Sequence, residues 1–209
     1  MPDLILSDVM MPEVTGVTLC EKIKSDEKTS HIPVILLTAK GSHENKIEGL
    51  SSGADDYIAK PFRLDEIKVR IENVLQIRKN LQQKYSTELI LEGKTIKKDS
   101  MDEQFIQKAM DIVHHYLQDS NFGVEMFSKE IGYSKTQLYN KIKALTSMTT
   151  NEFIKAIRLK KAAQMIKEKS ANIGEISFLV GFSSNTYFST SFKEMYSMTP
   201  RQYQKKHSV

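Results

Sequence analysis

The stretch Val124–Leu145, VEMFSKEIGYSKTQLYNKIKAL, decides the fold of the C-terminal half of this chain. It predicts two short helices joined by a tight turn. Gly132 breaks the first helix, and Ser134 is placed to cap the second. The buried face of the second helix is indicated by apolar residues at steps of four and three, Leu138, Ile142 and Leu145.

The other positions of the second helix are predicted to be exposed, and they are basic, amide-bearing or hydroxylated: Lys135, Thr136, Gln137, Asn140, Lys141 and Lys143. Such a surface suits a helix that enters the major groove of DNA, because amides and cations pair with base edges and lysines with phosphates. Taken alone, a lysine-rich helical hairpin is more often a plain solvated surface.

A second copy of the pattern lies 50 residues further along the chain, where Ser134 aligns with Ser184. Its turn glycine is Gly181, one residue out of frame, so the second turn is predicted to be longer. Asn172 and Glu175 form a capping-box pair ahead of the second copy. Thr149–Lys169 is predicted to be one long helix between the copies. The apolar and basic positions align as Leu138 with Phe188, Ile142 with Phe192, Lys143 with Lys193 and Leu145 with Met195.

Residues from about 105 to 207 resemble the AraC/XylS-type DNA-binding domain. The matching blocks are YSKTQLYNKIKALTSMTTNEFIKAIRLKKAAQMI at 133–166 and IGEISFLVGFSSNTYFSTSFKEMYSMTPRQY at 173–203. The resemblance implies an all-α domain with two helix-turn-helix units joined by a linker helix. Their recognition helices would enter successive major grooves, about 34 Å apart, on one face of double-stranded DNA.

The resemblance supports particular positions for contacts with DNA. In the first unit they are Lys135, Thr136, Tyr139, Asn140 and Lys143, and in the second they are Asn185, Thr186, Ser189, Thr190 and Lys193. Asn140 or Asn185 would read adenine, and Lys135 would read guanine. Lys143, Lys193, Lys160 and Lys161 are expected to contact phosphates or solvent. Neither recognition helix carries an arginine, which favours modest direct readout.

Composition agrees with a polyanion-binding C-terminal half. The net charge of the chain is +4, but residues 120–209 carry 14 Lys/Arg against 6 Asp/Glu. The single cysteine excludes an intramolecular disulfide and suits a reducing compartment. There is no apolar run near the ~18 residues of a membrane span and no signal peptide, so we expect a cytoplasmic chain without membrane contact.

The N-terminal part alternates short apolar runs with helical patterns, which predicts an α/β fold with a parallel sheet. The predicted strands are Leu4–Ser7, Val34–Leu37 and Tyr57–Ala59, and the predicted helices are Val17–Ser25, Asn45–Ser52 and Leu64 to about Lys84. Asp8, Thr38 and Lys60 follow the strands directly. Taken singly, each residue has an ordinary explanation as a cap or a surface charge. Because the carboxyl ends of parallel strands meet at one edge of the sheet, we expect the three side chains to lie close together.

Three motifs in this part resemble the response-regulator receiver domain: DVMMPEVTG at 8–16, LLTA at 36–39 and GADDYIAKPF at 53–62. The resemblance implies a flavodoxin-like fold in which Asp8 is the phosphoacceptor and Lys60 pairs with the phosphoryl oxygens. It implies that Thr38 and Tyr57 act as a switch and that the Lys60–Pro61 peptide bond is cis.

The sequence departs from the receiver pattern at its start. A complete receiver begins with a strand carrying two acidic residues that help to hold Mg²⁺, whereas this sequence begins immediately before the DVMMP motif. Asp8 and the Met10 carbonyl remain as ligands of an incomplete magnesium site, so we expect impaired phosphorylation and no stably bound Mg²⁺. We also expect Leu4–Ser7 to be an unpaired edge strand that invites homodimerisation or aggregation, unless upstream sequence completes the sheet.

These inferences predict a truncated receiver domain at 1–84, a linker at 85–101 and an AraC-type DNA-binding domain at 102–209. Within the linker, Leu89–Leu91 is expected to be extended, and Asp102–Gln118 is expected to open the last domain as a helix. The predicted function is a non-enzymatic, sequence-specific transcription regulator of a two-component phosphorelay, with an upstream histidine kinase or kinase domain as partner. The alternative is a phosphotransfer or protein-interaction module whose basic half binds an acidic partner.

Overall fold

The computed structural model describes residues 2–39, 52–91 and 100–207, and the chain divides into two compact units, Met1–Lys84 and Tyr85–Val209. The elements that begin in the first unit are β1 (Ile5–Asp8), α1 (Gly16–Ser25), β2 (Val34–Ala39), β3 (Asp56–Lys60) and α2 (Leu64–Leu91). The helix predicted at 45–52 lies outside the described residues except for Ser52, which is in a turn.

The strands of the first unit form a parallel sheet, as predicted, and their order is β1-β2-β3. Asp8 pairs with Leu37, Thr38 with Ala59, and Ala39 with Lys60. β1 is therefore an edge strand of the described sheet. Because side chains alternate along a strand, β2 contributes residues to two hydrophobic clusters, one on each face of the sheet. Val34 and Leu36 pack with Val9 and Cys20, while Ile35 packs with Ile58 and Val74.

Asp55, just before β3, links three elements of the first unit. Its carboxylate lies 2.5 Å from the Lys24 ammonium of α1 and 3.3 Å from the Arg78 guanidinium of α2. It also accepts a hydrogen bond of 2.8 Å from the backbone N–H of Val34 at the start of β2. The sequence motif contained this residue, but its place at this junction was not predicted.

The helix α2 is longer than expected and runs to Leu91. The prediction of an extended segment at Leu89–Leu91 is therefore wrong. The physical reason is that the chain carries no proline or glycine between Leu64 and Gly93, while leucine, glutamine, lysine and glutamate favour continued helix. Most of the predicted linker after Leu91 lies outside the described residues.

The regular elements that the structure describes in the second unit are all α-helices. Its helices are α3 (Met101–His115), α4 (Val124–Ile131), α5 (Lys135–Thr146), α6 (Thr150–Glu168), α7 (Ile173–Leu179), α8 (Asn185–Tyr196) and α9 (Pro200–His207). The helix predicted at Asp102–Gln118 is confirmed, although it ends at His115.

Local sequence signals set the ends of these helices as predicted. Gly132 has a φ of 82° and Gly181 a φ of 79°, so both turns use the left-handed region that favours glycine. Ser134 caps α5 in a capping box with Gln137, and Thr149 caps α6 in another with Glu152. The predicted pair at the start of α7, Asn172 and Glu175, also forms a capping box.

The second unit has two hydrophobic cores, and α6 contributes to both. Its N-terminal half joins the first core with Phe127, Leu138 and Ile142, while its C-terminal half joins the second with Phe188 and Phe192. The α6 residues in the first core are Phe153, Ile154 and Ile157, and those in the second are Leu159, Ala162, Ala163 and Ile166.

Arg158 lies on α6 between the residues of the two cores and is buried. Its guanidinium donates a hydrogen bond of 2.6 Å to the carbonyl of Asp119. A Cβ atom at Gly181 would come within 2.9 Å of this guanidinium and 2.4 Å of the Leu117 carbonyl oxygen. The second turn therefore needs glycine for space as well as for its positive φ.

Lys141 corrects the predicted exposed face of α5. Its side chain has no exposed surface, and its ammonium lies 3.4 Å from the Asp102 carboxylate and 4.8 Å from the ring centroid of Phe105. The carboxylate neutralises the buried charge while the aliphatic stem packs among apolar groups. Lys141 follows Leu138 by three residues, so helical spacing placed it on the inner face, but its charge argued against burial.

We expect Lys141→Ala to lower the free energy of unfolding of the second unit by roughly 3 kcal/mol, because it removes a buried partner of Asp102 and leaves a cavity. Lys141→Met keeps the stem and should cost about 1 kcal/mol or less. The measurement is urea unfolding followed through amide NMR signals of α5.

Lys143→Ala is the matched control for this test, because Lys143 is exposed on the same helix two residues later. Its effect should stay within about 0.5 kcal/mol. Equal stabilities for the two alanine variants would contradict a structural role for the buried lysine.

Candidate functional site

The first candidate site lies at the carboxyl ends of the three parallel strands, which bring Asp8 and Lys60 together. The Lys60 ammonium forms a salt bridge with Oδ2 of Asp8, and both side chains remain partly exposed. The backbone N–H of Met10 donates a hydrogen bond of 3.1 Å to Oδ1 of the same carboxylate. A carboxylate held by two donors and open to solvent can act as a nucleophile towards a small electrophile.

These contacts set the protonation of the carboxylate. The hydrogen bond from Lys60, followed by that from the Met10 N–H, lowers the pKa of Asp8 below its ordinary value. Both donors favour the charged form of the carboxylate, whereas its slight desolvation opposes them. Asp8 is therefore ionised at neutral pH, which is the form that a nucleophile needs.

Gly16, the first residue of α1, supports the backbone of Asp8. A Cβ atom at this position would lie 2.1 Å from the Asp8 carbonyl oxygen, far inside van der Waals contact. The Gly16 N–H donates a hydrogen bond of 3.0 Å to the Val9 carbonyl. The start of α1 can therefore approach the end of β1 only because residue 16 lacks a side chain. This role was not predicted, although Gly16 closes the DVMMPEVTG motif.

Thr38 and Tyr57 occupy the positions predicted for a switch pair but make other contacts here. The Thr38 hydroxyl donates to the Ala39 carbonyl at 3.4 Å. Tyr57 packs against the core on the α1 side of the sheet, and its hydroxyl lies 3.3 Å from that of Ser52. Burial raises the pKa of Tyr57 despite that hydrogen bond, so the phenol is neutral at physiological pH.

The predicted magnesium ligands at this site are the Asp8 carboxylate and the Met10 carbonyl. Within residues 2–39, 52–91 and 100–207, no group of three or more His, Cys, Asp or Glu side chains could hold a metal ion. Mg²⁺ prefers an octahedral shell of oxygen atoms and binds through carboxylates. With one carboxylate already engaged by Lys60, the described residues do not fit the ion by themselves.

The cis form predicted for the Lys60–Pro61 bond is confirmed.

The second candidate site comprises the outer faces of α5 and α8. Of the residues predicted to contact DNA from α5, Lys135, Thr136, Tyr139 and Lys143 are exposed and Asn140 is half-buried. From α8, Asn185, Thr186, Thr190 and Lys193 are exposed and Ser189 is half-buried. Each set lies on one helix that follows a tight turn, so the structure presents two separate polar and basic helix faces.

The charges on α5 are partly engaged within the protein. The Lys135 ammonium lies 3.3 Å from the Glu125 carboxylate of α4, and Lys135 lowers the pKa of that carboxyl. The Lys143 ammonium lies 5.9 Å from the ring centroid of Tyr139. Both lysines remain exposed, and such surface pairs are weak, so their cations stay available to a polyanion.

Tyr187 is an exposed aromatic residue on α8 that was not predicted to contribute. Its side chain is 58% exposed, and its ring centroid lies 5.8 Å from that of Phe182. It aligns with Gln137 of the first helix-turn-helix unit, which is a polar position. That alignment was the available signal that the position faces outwards.

None of the helices among the described residues is both long enough and apolar enough to cross a membrane.

Both units of the chain match families of known proteins. Residues 1–72 match the response regulator receiver domain family, and residues 127–206 match a helix-turn-helix domain family. Over its whole length the chain is 50% identical to Histidine kinase P4 from Formosa agariphila, of which it spans 15%. Over 36% of the chain it is 53% identical to the phosphate regulon transcriptional regulatory protein PhoB from Pseudomonas aeruginosa, of which it spans 33%.

Among solved structures, the C-terminal domain of the two-component response regulator yesN from Fusobacterium nucleatum is similar to this chain. The two are 27% identical with a TM-score of 0.43, and the alignment covers 46% of this chain and 93% of that domain.

We expect Lys60→Met to raise the pKa of Asp8 towards its ordinary value, because the variant removes the donor that lowers it most. The measurement is an NMR titration of the Asp8 carboxyl carbon. A carboxyl group whose pKa is lower in the folded than in the unfolded state stabilises the fold at pH values above its unfolded-state pKa. This stabilisation is lost as the pH falls through its folded-state pKa. The acid-induced loss of stability should therefore be smaller in Lys60→Met.

Lys68→Met is the control, because Lys68 is an exposed lysine of the same unit on α2. An unchanged Asp8 titration in Lys60→Met would show that the ion pair does not govern this carboxylate.

Proposed function

We propose that this chain, which joins a response regulator receiver domain to an AraC-type helix-turn-helix domain, is a DNA-binding transcription regulator of a two-component phosphorelay. The observation that carries the proposal is the pair of helix-turn-helix units built on one shared helix, each with a polar outer face. A module that bound an acidic protein partner would need the positive charge but not two repeated recognition helices.

In this proposal α5 and α8 are the recognition helices. Asn140 and Asn185 read adenine, Lys135 reads guanine, and Lys143 and Lys193 contact phosphates. The remaining base-proximal residues are Thr136, Tyr139, Thr186, Ser189 and Thr190. α6 has 19 residues and so spans ~28 Å, which is close to the ~34 Å between successive major grooves on one face of DNA.

The receiver unit would provide the input to the regulator. The Asp8 carboxylate attacks the phosphoryl group of a phosphohistidine in line, the aspartyl phosphate forms, and the imidazole leaves. Lys60 then pairs with a phosphoryl oxygen, and Thr38 hydrogen-bonds another while Tyr57 stays turned into the core. The donor would be a histidine kinase or a kinase domain, because this sequence aligns throughout with part of Histidine kinase P4.

The same proposal places the chain in the cytoplasm, where DNA and the kinase output meet, and assigns it a regulatory rather than an enzymatic role. β1 is an edge strand of the described sheet, so pairing of two β1 edges is the proposed route to a homodimer.

Incubation with acetyl phosphate and Mg²⁺ tests the phosphoacceptor. We expect only a small fraction of the chain to gain one phosphoryl group, because the described residues offer few magnesium ligands near Asp8. Intact-mass spectrometry measures the fraction, and Asp8→Asn should abolish it. Stoichiometric phosphorylation of Asp8 would contradict the expected impairment, and a gain that survives Asp8→Asn would contradict the assignment of the acceptor.

DNA binding is tested with a duplex obtained by in vitro selection and with a random duplex. Asn140→Ala should lower affinity for the selected duplex by about 1–3 kcal/mol and leave random DNA almost unaffected, because it removes a base contact. Lys193→Ala should weaken binding to both duplexes equally and reduce the salt dependence. Fluorescence anisotropy at two salt concentrations provides the measurement. Equal losses on both duplexes for Asn140→Ala would refute base reading by this residue.

A further inference from the structure

A groove of about 460 Å³ lies between α5 and the start of α6 in the first helix-turn-helix unit. One wall is formed by α5 residues already proposed to contact DNA, Lys135, Thr136 and Tyr139. The other wall is formed by Thr149, Thr150 and Asn151, to which no function has been assigned above.

The N-terminus of α6 offers two backbone donors to this groove. The first four N–H groups of a helix have no partner within the helix. In α6 the capping box uses two of them. The Thr149 N–H donates to the Glu152 carboxylate at 2.7 Å, and the Glu152 N–H donates to the Thr149 hydroxyl at 3.3 Å. This leaves the N–H groups of Thr150 and Asn151, at the positive end of the helix dipole.

The Thr150 side chain gives a second and independent sign of a ligand. The residue is only 2% exposed, and its hydroxyl oxygen is buried without a hydrogen-bond partner among the described residues. A buried hydroxyl in this state costs free energy, which a ligand that accepts its hydrogen bond would recover. Thr150 is also one of the residues that line the groove.

The opposite wall adds further donors. The Lys135 ammonium is exposed and forms a weak surface pair with Glu125 at 3.3 Å. The Tyr139 side chain is 40% exposed and lines the same groove. Two N–H groups, two hydroxyls and an ammonium are all suited to donate, so the fitting ligand is an anion rich in acceptor oxygens.

We propose that this groove binds one phosphate of the DNA backbone when α5 lies in the major groove, and we call it the α6 phosphate groove. The inference rests on the proposed function and adds a site to it. Helix N-termini bind phosphate through their free N–H groups, and such contacts fix the register of a protein on DNA. Thr150 and Asn151 hold the phosphate from α6, and the nearby Lys135 ammonium adds positive charge to the groove while it reads guanine.

The second helix-turn-helix unit is built differently at the corresponding place. The frame that aligns Ser134 with Ser184 aligns Thr150 with Pro200 and Asn151 with Arg201. Proline has no N–H and no hydroxyl, although it is well suited to the first position of a helix. The second helix-turn-helix unit therefore lacks the Thr150 donors at this place and offers the Arg201 guanidinium instead.

The test uses Thr150→Val in the full chain, with the selected and random duplexes as probes. We expect affinity for both duplexes to fall about tenfold, because a hydrogen bond to a charged phosphate is lost whatever the base sequence. The salt dependence should not change, since no charge is removed. The stability of the free chain should stay the same or rise, because a methyl group replaces an unpartnered hydroxyl.

Thr146→Val is the matched control. Thr146 is also a buried threonine of this unit, but its hydroxyl donates to the Ile142 carbonyl at 2.8 Å. Its replacement should lower stability and leave DNA affinity unchanged, which is the opposite pattern.

A duplex series with single neutral methylphosphonates locates the phosphate. At one position of the duplex, the methylphosphonate should weaken DNA binding by the wild-type chain. It should have little further effect on DNA binding by Thr150→Val, because both changes remove the same contact. If Thr150→Val bound both duplexes as tightly as the wild-type chain does, the inference would be overturned and the proposed function would stand. A loss of affinity that merely follows a loss of stability would also overturn it. A wild-type chain that does not distinguish the duplexes would overturn the proposed function instead.

Discussion

The second unit depends on one constraint, which is that α6 is a single helix shared by two hydrophobic cores. Phe153 and Ile157 face the first core, and Leu159 and Ile166 face the second. Because a helix is stiff over 19 residues, each helix-turn-helix unit is packed onto a common axis. The Thr149 capping box fixes where this shared helix begins, and the buried Arg158 lies between the residues of the two cores.

Buried charged side chains form specific polar contacts between elements, whereas apolar packing alone does not define one geometry. Arg158 fixes the segment around Asp119 against the middle of α6, and Lys141 connects α5 to Asp102 of α3. In the first unit Asp55, which is only partly buried, joins α1, β2 and α2. A buried ionic group tolerates few alternative arrangements, since each one leaves a charge without a partner. Such contacts therefore favour one geometry at both candidate sites.

The sequence was sufficient to predict the features that depend on local patterns. The helix caps and both turn glycines follow from short motifs whose physics is local, and the cis bond before Pro61 follows from the resemblance to receiver domains. The rest depends on contacts distant in sequence. The burial of Lys141 requires an acid 39 positions earlier, and the space limit at Gly181 requires Arg158. The length of α2 was missed for another reason, because a helix continues past its apolar pattern until a breaker intervenes.

The shared axis of α6 also limits how such a chain can change over evolutionary time. Each residue of a helix advances it by ~1.5 Å and turns it by ~100°. A single residue inserted between Ile157 and Leu159 would rotate the second core, and α8 with it, away from the face that α5 occupies. Insertions of three or four residues would nearly restore that face and lengthen the axis by ~5 Å. Descendants of this sequence can therefore acquire a new separation between their two recognition helices only by whole helical turns.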